Sequence, residues 1–371
     1  MTRKTRDPKP KPANRAPLTE EQALERARAN VAQVLDICRR PGRRLVLMQD
    51  NPDPDALASA AAMRDLVYTH LKKRVAIGYG GISGRAENRA MMDVLHIDAK
   101  RMTPSQLDNY KTICLVDTQP RSGNNILHAS RPAEIVIDHH LLPKRNPWLA
   151  EFSDVRPGYG AASTILYEYL VAGGVKIGPR LATALFYGIQ SDTQDLGREA
   201  CPADVRAYRD LFLVADKKML ARIHHAPIPM DYFKTLADSL ANCVVAGATV
   251  VGYVPSCVNA DMISDVADRL MRLEGMRTAV CYGVCGDTIH LSARAADARG
   301  NTAQRVKRVV RRLGTGGGHR AMAGGQIPLE GDREKRLALV RERILKAFAP
   351  HKEPVPLNQR GDDMRRPGEF S

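Results

Sequence analysis

Between Arg43 and about residue 195 the chain alternates short apolar runs with longer stretches of helical spacing, and no other feature limits its fold as strongly. RRLVLMQ, RVAIGYG, TICLVD and AEIVID have the length and content of strands, while DALASAAAMRDLVYTHL, YGAASTILYEYLVAGG and LATALFYGIQSDT have the spacing of helices. Such alternation is the signature of a parallel sheet, so the expected class is α/β. An amphipathic helix over residues 18–40, with Thr19 ahead of its Glu-rich first turn and Pro41-Gly42 at its end, leads into this domain.

A chain of 371 residues is long for one compact unit, and two domains with tails are expected. The first spans 18–205. Residues 206–240, mainly helical in pattern and interrupted by HHAPIPMDYF, read as a connector. From 241 to 348 a smaller α/β domain follows. It holds ATVVGYV, a helix over ADMISDVADRLMRLEG, the pair TAVCYGVC and TIHLSARA about Gly286-Asp287, a basic helix AQRVKRVVRRLG over 302–313, GQIPL, and a helix through 332–348. Residues 1–17 and the Pro- and charge-rich residues 349–371 are expected to be disordered tails.

Composition bears on location and partners. With 44% hydrophobic and 26% charged residues the chain is neither mainly disordered, collagenous nor coiled-coil. No apolar run reaches the roughly 18–20 residues of a membrane helix, and the first residues lack an apolar secretion core, so the expected location is the cytoplasm. Seven scattered cysteines without a CxxC fit reduced core thiols. Cys281 and Cys285, the nearest to a metal pair, are read as straddling a hairpin turn. The net charge of +15 favours polyanions. Part of it is a basic tail carrying Arg3, Lys4, Arg6, Lys9, Lys11 and Arg15, and part is Arg305, Lys307, Arg308, Arg311 and Arg312 on the basic helix, which serve equally as a solvated face.

Chemistry gathers where the first domain's strands end. RRLVLMQ runs into Asp50-Asn51-Pro52-Asp53-Pro54-Asp55, TICLVD ends at Asp117, AEIVID ends at Asp138-His139-His140, and the helix GIQSD ends at Asp192. Taken singly, Asp53 and Asp55 suit an Asx turn, and Asp117 or Asp192 a helix cap. Taken together they repel one another unless cations intervene, and mixed carboxylate and imidazole donors suit Mn²⁺ or a similar divalent ion. Two such ions roughly 3.5–4 Å apart can generate a hydroxide nucleophile and stabilise in-line displacement at phosphorus. The other histidine pair, His224-His225, falls in the connector.

In this order NPDPDALAS (51–59), LVDT (115–118), IDHH (137–140) and GIQSDT (188–193) resemble the four motifs of the DHH phosphoesterase superfamily. LSAR (291–294) and GTGGGHRAMAGG (314–325) resemble the two motifs of the DHH-associated substrate-binding domain. That domain is found in nanoRNases that also act on 3'-phosphoadenosine 5'-phosphate, in cyclic-dinucleotide phosphodiesterases and in RecJ-type nucleases. The resemblance implies Asp53 and Asp117 on one metal, with Asp55, Asp117, His139 and Asp192 on the other, and Asp117 bridging. It implies Asp138 as the acceptor that orients a histidine and His140 as a contact to the substrate phosphate. Arg294, the glycine loop Gly316, Gly317 and Gly318, and His319 would hold the nucleotide or its terminal phosphate. One position departs from the pattern. Members of this branch carry a histidine four residues before the first motif aspartate, and here Gln49 stands there, a poorer Mn²⁺ ligand.

The expectation is a Mn²⁺-dependent phosphoesterase or exonuclease of two metal ions, acting on short RNA or nucleotides in a cleft between its domains. A cyclic-dinucleotide phosphodiesterase is the near alternative. A non-catalytic nucleotide- or nucleic-acid-binding protein, with Gln49 marking a decayed centre, is the alternative of a different class. A homodimer is left open, and no membrane partner is expected.

Overall fold

Strands whose side chains are apolar without a break need cover on both faces, and the chain supplies it with helices. The computed structural model describes residues 20–141, 150–255, 257, 260–297, 301–318 and 321–359. The basic tail at 1–17, His319 and residues 360–371 of the second tail lie outside the described residues. The elements of the first unit are α1 (Glu20–Arg39), β1 (Arg44–Leu47), α2 (Pro54–Leu71), β2 (Val75–Tyr79), α3 (Ala86–Leu95), β3 (Ala99–Arg101), β4 (Thr112–Val116), β5 (Ala133–Asp138), β6 (Ala150–Val155), α4 (Ala162–Ala172), α5 (Pro179–Thr193), α6 (Pro202–Val214) and α7 (Lys217–His224). Contacts divide the chain after Ile223, and residues 82–90, including the start of α3, group with the second unit.

The first sheet runs β3-β2-β1-β4-β5-β6, with every pairing parallel. Side-chain alternation sorts its residues. Val46, Met48, Cys114 and Val116 join the core under α2, α4 and α5, whereas Leu45, Leu47, Ile113 and Leu115 face a second core with Leu107 and Tyr110. The strand order reverses between β1 and β4, which opens a crevice at their carboxyl ends. The sheet is parallel as the alternation predicts, but β3 and β6 are not marked by apolar runs. The latter, AEFSDV, buries only Phe152 and Asp154, because an edge strand carries polar residues where a central one cannot.

The second unit contains α8 (Met230–Ala241), β7 (Val244–Ala246), β8 (Thr249–Val254), α9 (Ala260–Leu270), β9 (Thr278–Cys285), β10 (Thr288–Ala295), α10 (Thr302–Val310), β11 (Thr315–Gly318), β12 (Met322–Pro328), α11 (Arg333–Phe348) and β13 (Val355–Pro356). Its sheet runs β11-β12-β10-β9-β8-β7-β13, antiparallel except for β8 with β9. No described helix is long and apolar enough to cross a membrane.

Four expectations are corrected here. The basic helix stops at Val310 instead of 313, since Arg312 turns the chain with φ 61°, so Arg311 and Arg312 leave its face. Residues 355–359 are ordered, not tail: Val355 and Pro356 pair with β7, an edge position that tolerates a proline's missing N–H. Cys281 and Cys285 share strand β9 rather than flanking the turn. Cys257 and Cys285, leaving the sheet at the ends of the paired strands β8 and β9, form a disulfide with Cα atoms 5.2 Å apart, so two of the thiols are not reduced.

The glycine run is also different from the loop expected. Gly316, Gly317 and Gly318 form β11, paired with Ala323, Gly324 and Gly325 of β12. A Cβ on Gly318, at φ 134°, would sit 2.4 Å from the Met322 carbonyl, and one on Gly316 would sit 3.0 Å from Val306 of α10. Close hairpin packing therefore explains these two. Gly317 is different, because a Cβ there would meet no described residue within 4 Å.

Candidate metal centre

The site lies wholly in the first unit, at the carboxyl ends of β1, β4 and β5. After β1 the chain passes Gln49 and reaches Asp53, the N-cap of α2, whose Oδ1 accepts the Ala56 N–H at 3.0 Å ahead of Pro54 at the first helical position. Gln49 Nε2 donates to the other oxygen of Asp53 at 2.9 Å. Asp55, in the first turn of α2, accepts the N–H groups of Ala162 and Ser163 at 2.7 Å each, which docks it on the start of α4. Burial first, and then the Asp192 charge, push its carboxyl up to about 7.

Asp117 follows β4 with φ 55°, a left-handed conformation that costs a non-glycine residue free energy and clusters at functional positions. It places Oδ1 3.3 Å from His139 Nε2 and 3.5 Å from His140 Nδ1. His139 Nε2 is also 3.1 Å from Asp192 and 3.9 Å from Asp55. Burial, and then the charge of Asp53, raise Asp117 well above the ordinary carboxylate range. The structure thus brings Asp55, Asp117, His139 and Asp192 to one point, with Asp53 close enough to act on Asp117 electrostatically.

The two histidines are held differently. His139 Nδ1 lies 3.1 Å from the Tyr159 carbonyl, which accepts a hydrogen bond from Nδ1–H and leaves Nε2 aimed at the carboxylates. Asp138 Oδ1 instead accepts His140 Nδ1 at 2.8 Å, and both backbone N–H groups of the pair, while Oδ2 accepts Gln119 Nε2 at 2.6 Å. Burial disfavours the His140 cation, but the Asp138 bond and the charge of Asp117 outweigh it and raise the ring to about 9. His140 sits at the rim, with over a third of its side chain exposed.

Asp192 reaches the site because α5 passes unusually close to α2 and α4. A Cβ on Gly188 would lie 2.5 Å from Ser163 Oγ and 3.1 Å from Ala58 Cβ, so only glycine allows this approach one turn before Asp192. Behind His139 stands a buried ion network. Asp154 on β6 accepts from Arg26, Asn30, Arg156 and Tyr169, and Arg156 also binds Glu168 and the Tyr159 hydroxyl, steadying the segment whose carbonyl holds His139.

The donor set fits a divalent cation. Asp117 Oδ1 and His139 Nε2 are buried atoms without a hydrogen-bond partner among the described residues, and oxygens of three carboxylates crowd the imidazole nitrogen. Oxygen and nitrogen donors of Asp55, His139 and Asp192 lie within 4.8 Å of one another, as do those of Asp117, Asp138, His139 and His140. Sequence reasoning missed Gln119, the Tyr159 carbonyl and the start of α4. The last two act through backbone atoms that carry no side-chain signal.

In the second unit Arg294 donates from Nε to Asp268 at 2.5 Å and from an Nη to Ser292 Oγ at 2.8 Å; Asp268 also takes Arg85 at 3.0 Å. The predicted phosphate ligand is therefore held by a carboxylate shared between two guanidinium groups.

Residues 44–189 match the DHH family, N-terminal domain, and residues 246–346 match the DHHA1 domain. An uncharacterised protein of Methanocaldococcus jannaschii is 37% identical over 307 residues, covering 81% of this chain and 62% of that protein. A Bacillus cereus protein named "Probable manganese-dependent inorganic pyrophosphatase" is 30% identical over 185 residues, 46% of this chain and 55% of its own length. The chain thus spans under two thirds of either relative. Among solved structures, an exopolyphosphatase-related protein from Bacteroides fragilis has the same fold, with TM-score 0.66 at 15% identity over 86% of this chain and 96% of that one.

Proposed function

We infer the activity from the premise that this chain belongs to the DHH phosphoesterase superfamily: it is a metal-dependent hydrolase of phosphoester bonds. The observation that carries this reading is the buried contact of Asp117 Oδ1 with His139 Nε2, neither atom hydrogen-bonded among the described residues, ringed by the carboxylates of Asp55 and Asp192. Asp55, Asp117, His139 and Asp192 would hold a divalent ion, with Mn²⁺ the first choice for such donors. When bound, it supplies Lewis-acid activation and offsets charge on the phosphoryl oxygens. The Tyr159 carbonyl keeps His139 Nε2 turned inward, and Asp138 fixes His140 at the rim, where its imidazolium would donate to a phosphate oxygen.

The substrate we propose is a short oligonucleotide or nucleotide, hydrolysed at a phosphodiester or phosphomonoester. The DHHA1 match and Arg294 support a nucleotide, whereas the pyrophosphatase relatives favour inorganic diphosphate over the part of the chain they share. A second metal beside Asp53 would be weak, because Gln49 turns an N–H donor toward the oxygen that such a cation needs.

Product formation with excess Mn²⁺ tests the reading on an RNA dinucleotide, a longer RNA, 3'-phosphoadenosine 5'-phosphate, a cyclic dinucleotide and pyrophosphate. Turnover abolished by Asp117→Ala is the expected result, and the ranking names the substrate class. No turnover on any of them, with nucleotide binding retained, replaces the enzyme with a binding protein.

A further inference from the structure

The amino ends of the same strands carry a second cluster, of opposite charge. β2, β1 and β4 are neighbours in the sheet, with Arg44 opposite both Val75 and Thr112, so the residues preceding each strand meet at one edge. They line an open pocket of about 650 Å³ whose lining includes Arg43, Arg44, Lys73, Arg74 and Tyr110 and, among the described residues, no carboxylate.

Helix ends explain part of this charge. Arg44 is buried and donates to the carbonyls of Cys38, Arg40 and Gly42, and Lys73 donates to those of Arg39 and Arg40, so both cap the end of α1. Even so, the guanidinium of Arg44 meets carbonyl dipoles rather than a counter-charge. Arg43 and Arg74 serve no such cap. Arg43 lies over the Tyr110 ring at 4.8 Å and is exposed, as is Arg74. The rim shows the contrast: Arg39 is paired with Asp36 and Arg40 with Glu151. Desolvation first, and then the charges of Arg44 and Arg39, lower the Lys73 ammonium.

We propose that this edge binds the phosphate backbone of a single-stranded nucleic acid, at a site separate from the Asp/His centre and at the other end of the strands that carry it. Tyr110 is buried, which leaves phosphate and not base as the group recognised. The cations stand at the starts of two neighbouring strands, β1 and β2, roughly 5 Å apart. The proposal goes beyond the hydrolase reading and does not need turnover.

The test is binding of a fluorescein-labelled single-stranded RNA to the full chain in EDTA, across a salt series, for wild type, Arg43→Gln/Arg74→Gln and Lys307→Gln/Arg308→Gln. Arg44 and Lys73 are left intact because they cap α1. Two lost phosphate contacts lower the slope of log K against log salt by about 1.4 and affinity by about tenfold or more, while the α10 variant keeps its slope. An unchanged slope in Arg43→Gln/Arg74→Gln, with unchanged melting, overturns the proposal. So does displacement of the RNA by inorganic phosphate or AMP at concentrations comparable with the RNA itself, since that describes a pocket for one phosphate. Any metal-dependent activity on a dinucleotide is expected to survive Arg43→Gln/Arg74→Gln, which separates this site from the catalytic one.

Discussion

Replacing Asp154 by Asn removes one negative charge from a buried network without changing its shape. Asp154 is 1% exposed and Arg156 5%, and the carboxylate accepts Arg156 Nε at 2.9 Å and an Nη at 2.7 Å, Asn30 at 2.9 Å and Tyr169 at 2.9 Å. Breaking a buried pair costs about 3–5 kcal/mol because a charge stays behind without compensation. Here Glu168 still holds Arg156, so about 3 kcal/mol is expected. For a unit of this size that lowers Tm by about 6–12 °C. The pH dependence follows from the carboxyl's position. Burial raises it, but Arg156 and then Arg26 hold it below the ordinary carboxylate value. A depressed carboxylate contributes stability above its unfolded pKa of about 3.9 and loses it as pH falls toward the folded value. Thermal melts of both proteins from neutral to acid pH should therefore show a gap that is full at neutrality and narrows below about pH 4. A gap under 2 °C at neutral pH, or one that does not narrow in acid, would refute this account of the network.

Gly188→Ala should cost about 1–3 kcal/mol by overpacking against Ser163, and it should weaken Mn²⁺ binding because α5 carries Asp192 away; calorimetric titration reads the second effect, and the cost should shrink in a Ser163→Ala background. Gln49→His should convert one tight Mn²⁺ equivalent into two, and two tight equivalents already present in wild type would remove the argument from Gln49. Gly318→Ala should lower the melting temperature of the second unit, whereas Gly317→Ala should leave it within experimental error, so any loss of nucleotide affinity in the latter reports a lost close approach.

Much of the site is legible in the sequence, because its chemistry lies in side chains at strand ends. Asp53, Asp55, Asp117, His139 and Asp192 are conspicuous where apolar runs stop, and period and length declare α2, β4 and β5 as helix and strands. What was not legible acts through backbone or through distance. The Tyr159 carbonyl has no residue-type signature, Gln119 is one amide among many, and Asp154 is visible as a network hub only when β6 lies against α1 and α4.

Periodicity and local charge were enough for the parallel α/β class and for a division into two units, and they pointed to the carboxylates and histidines that the strand ends gather. The tertiary structure alone decided three things. It turned a glycine-rich loop into a strand, because the run pairs with residues 323–325 in a hairpin and packs against α10, which the glycine spacing does not announce. It joined Cys257 to Cys285, because two parallel strands end side by side. And it set basic residues from two separate segments around one open pocket, because sheet order, which no local propensity encodes, makes β2 and β1 neighbours.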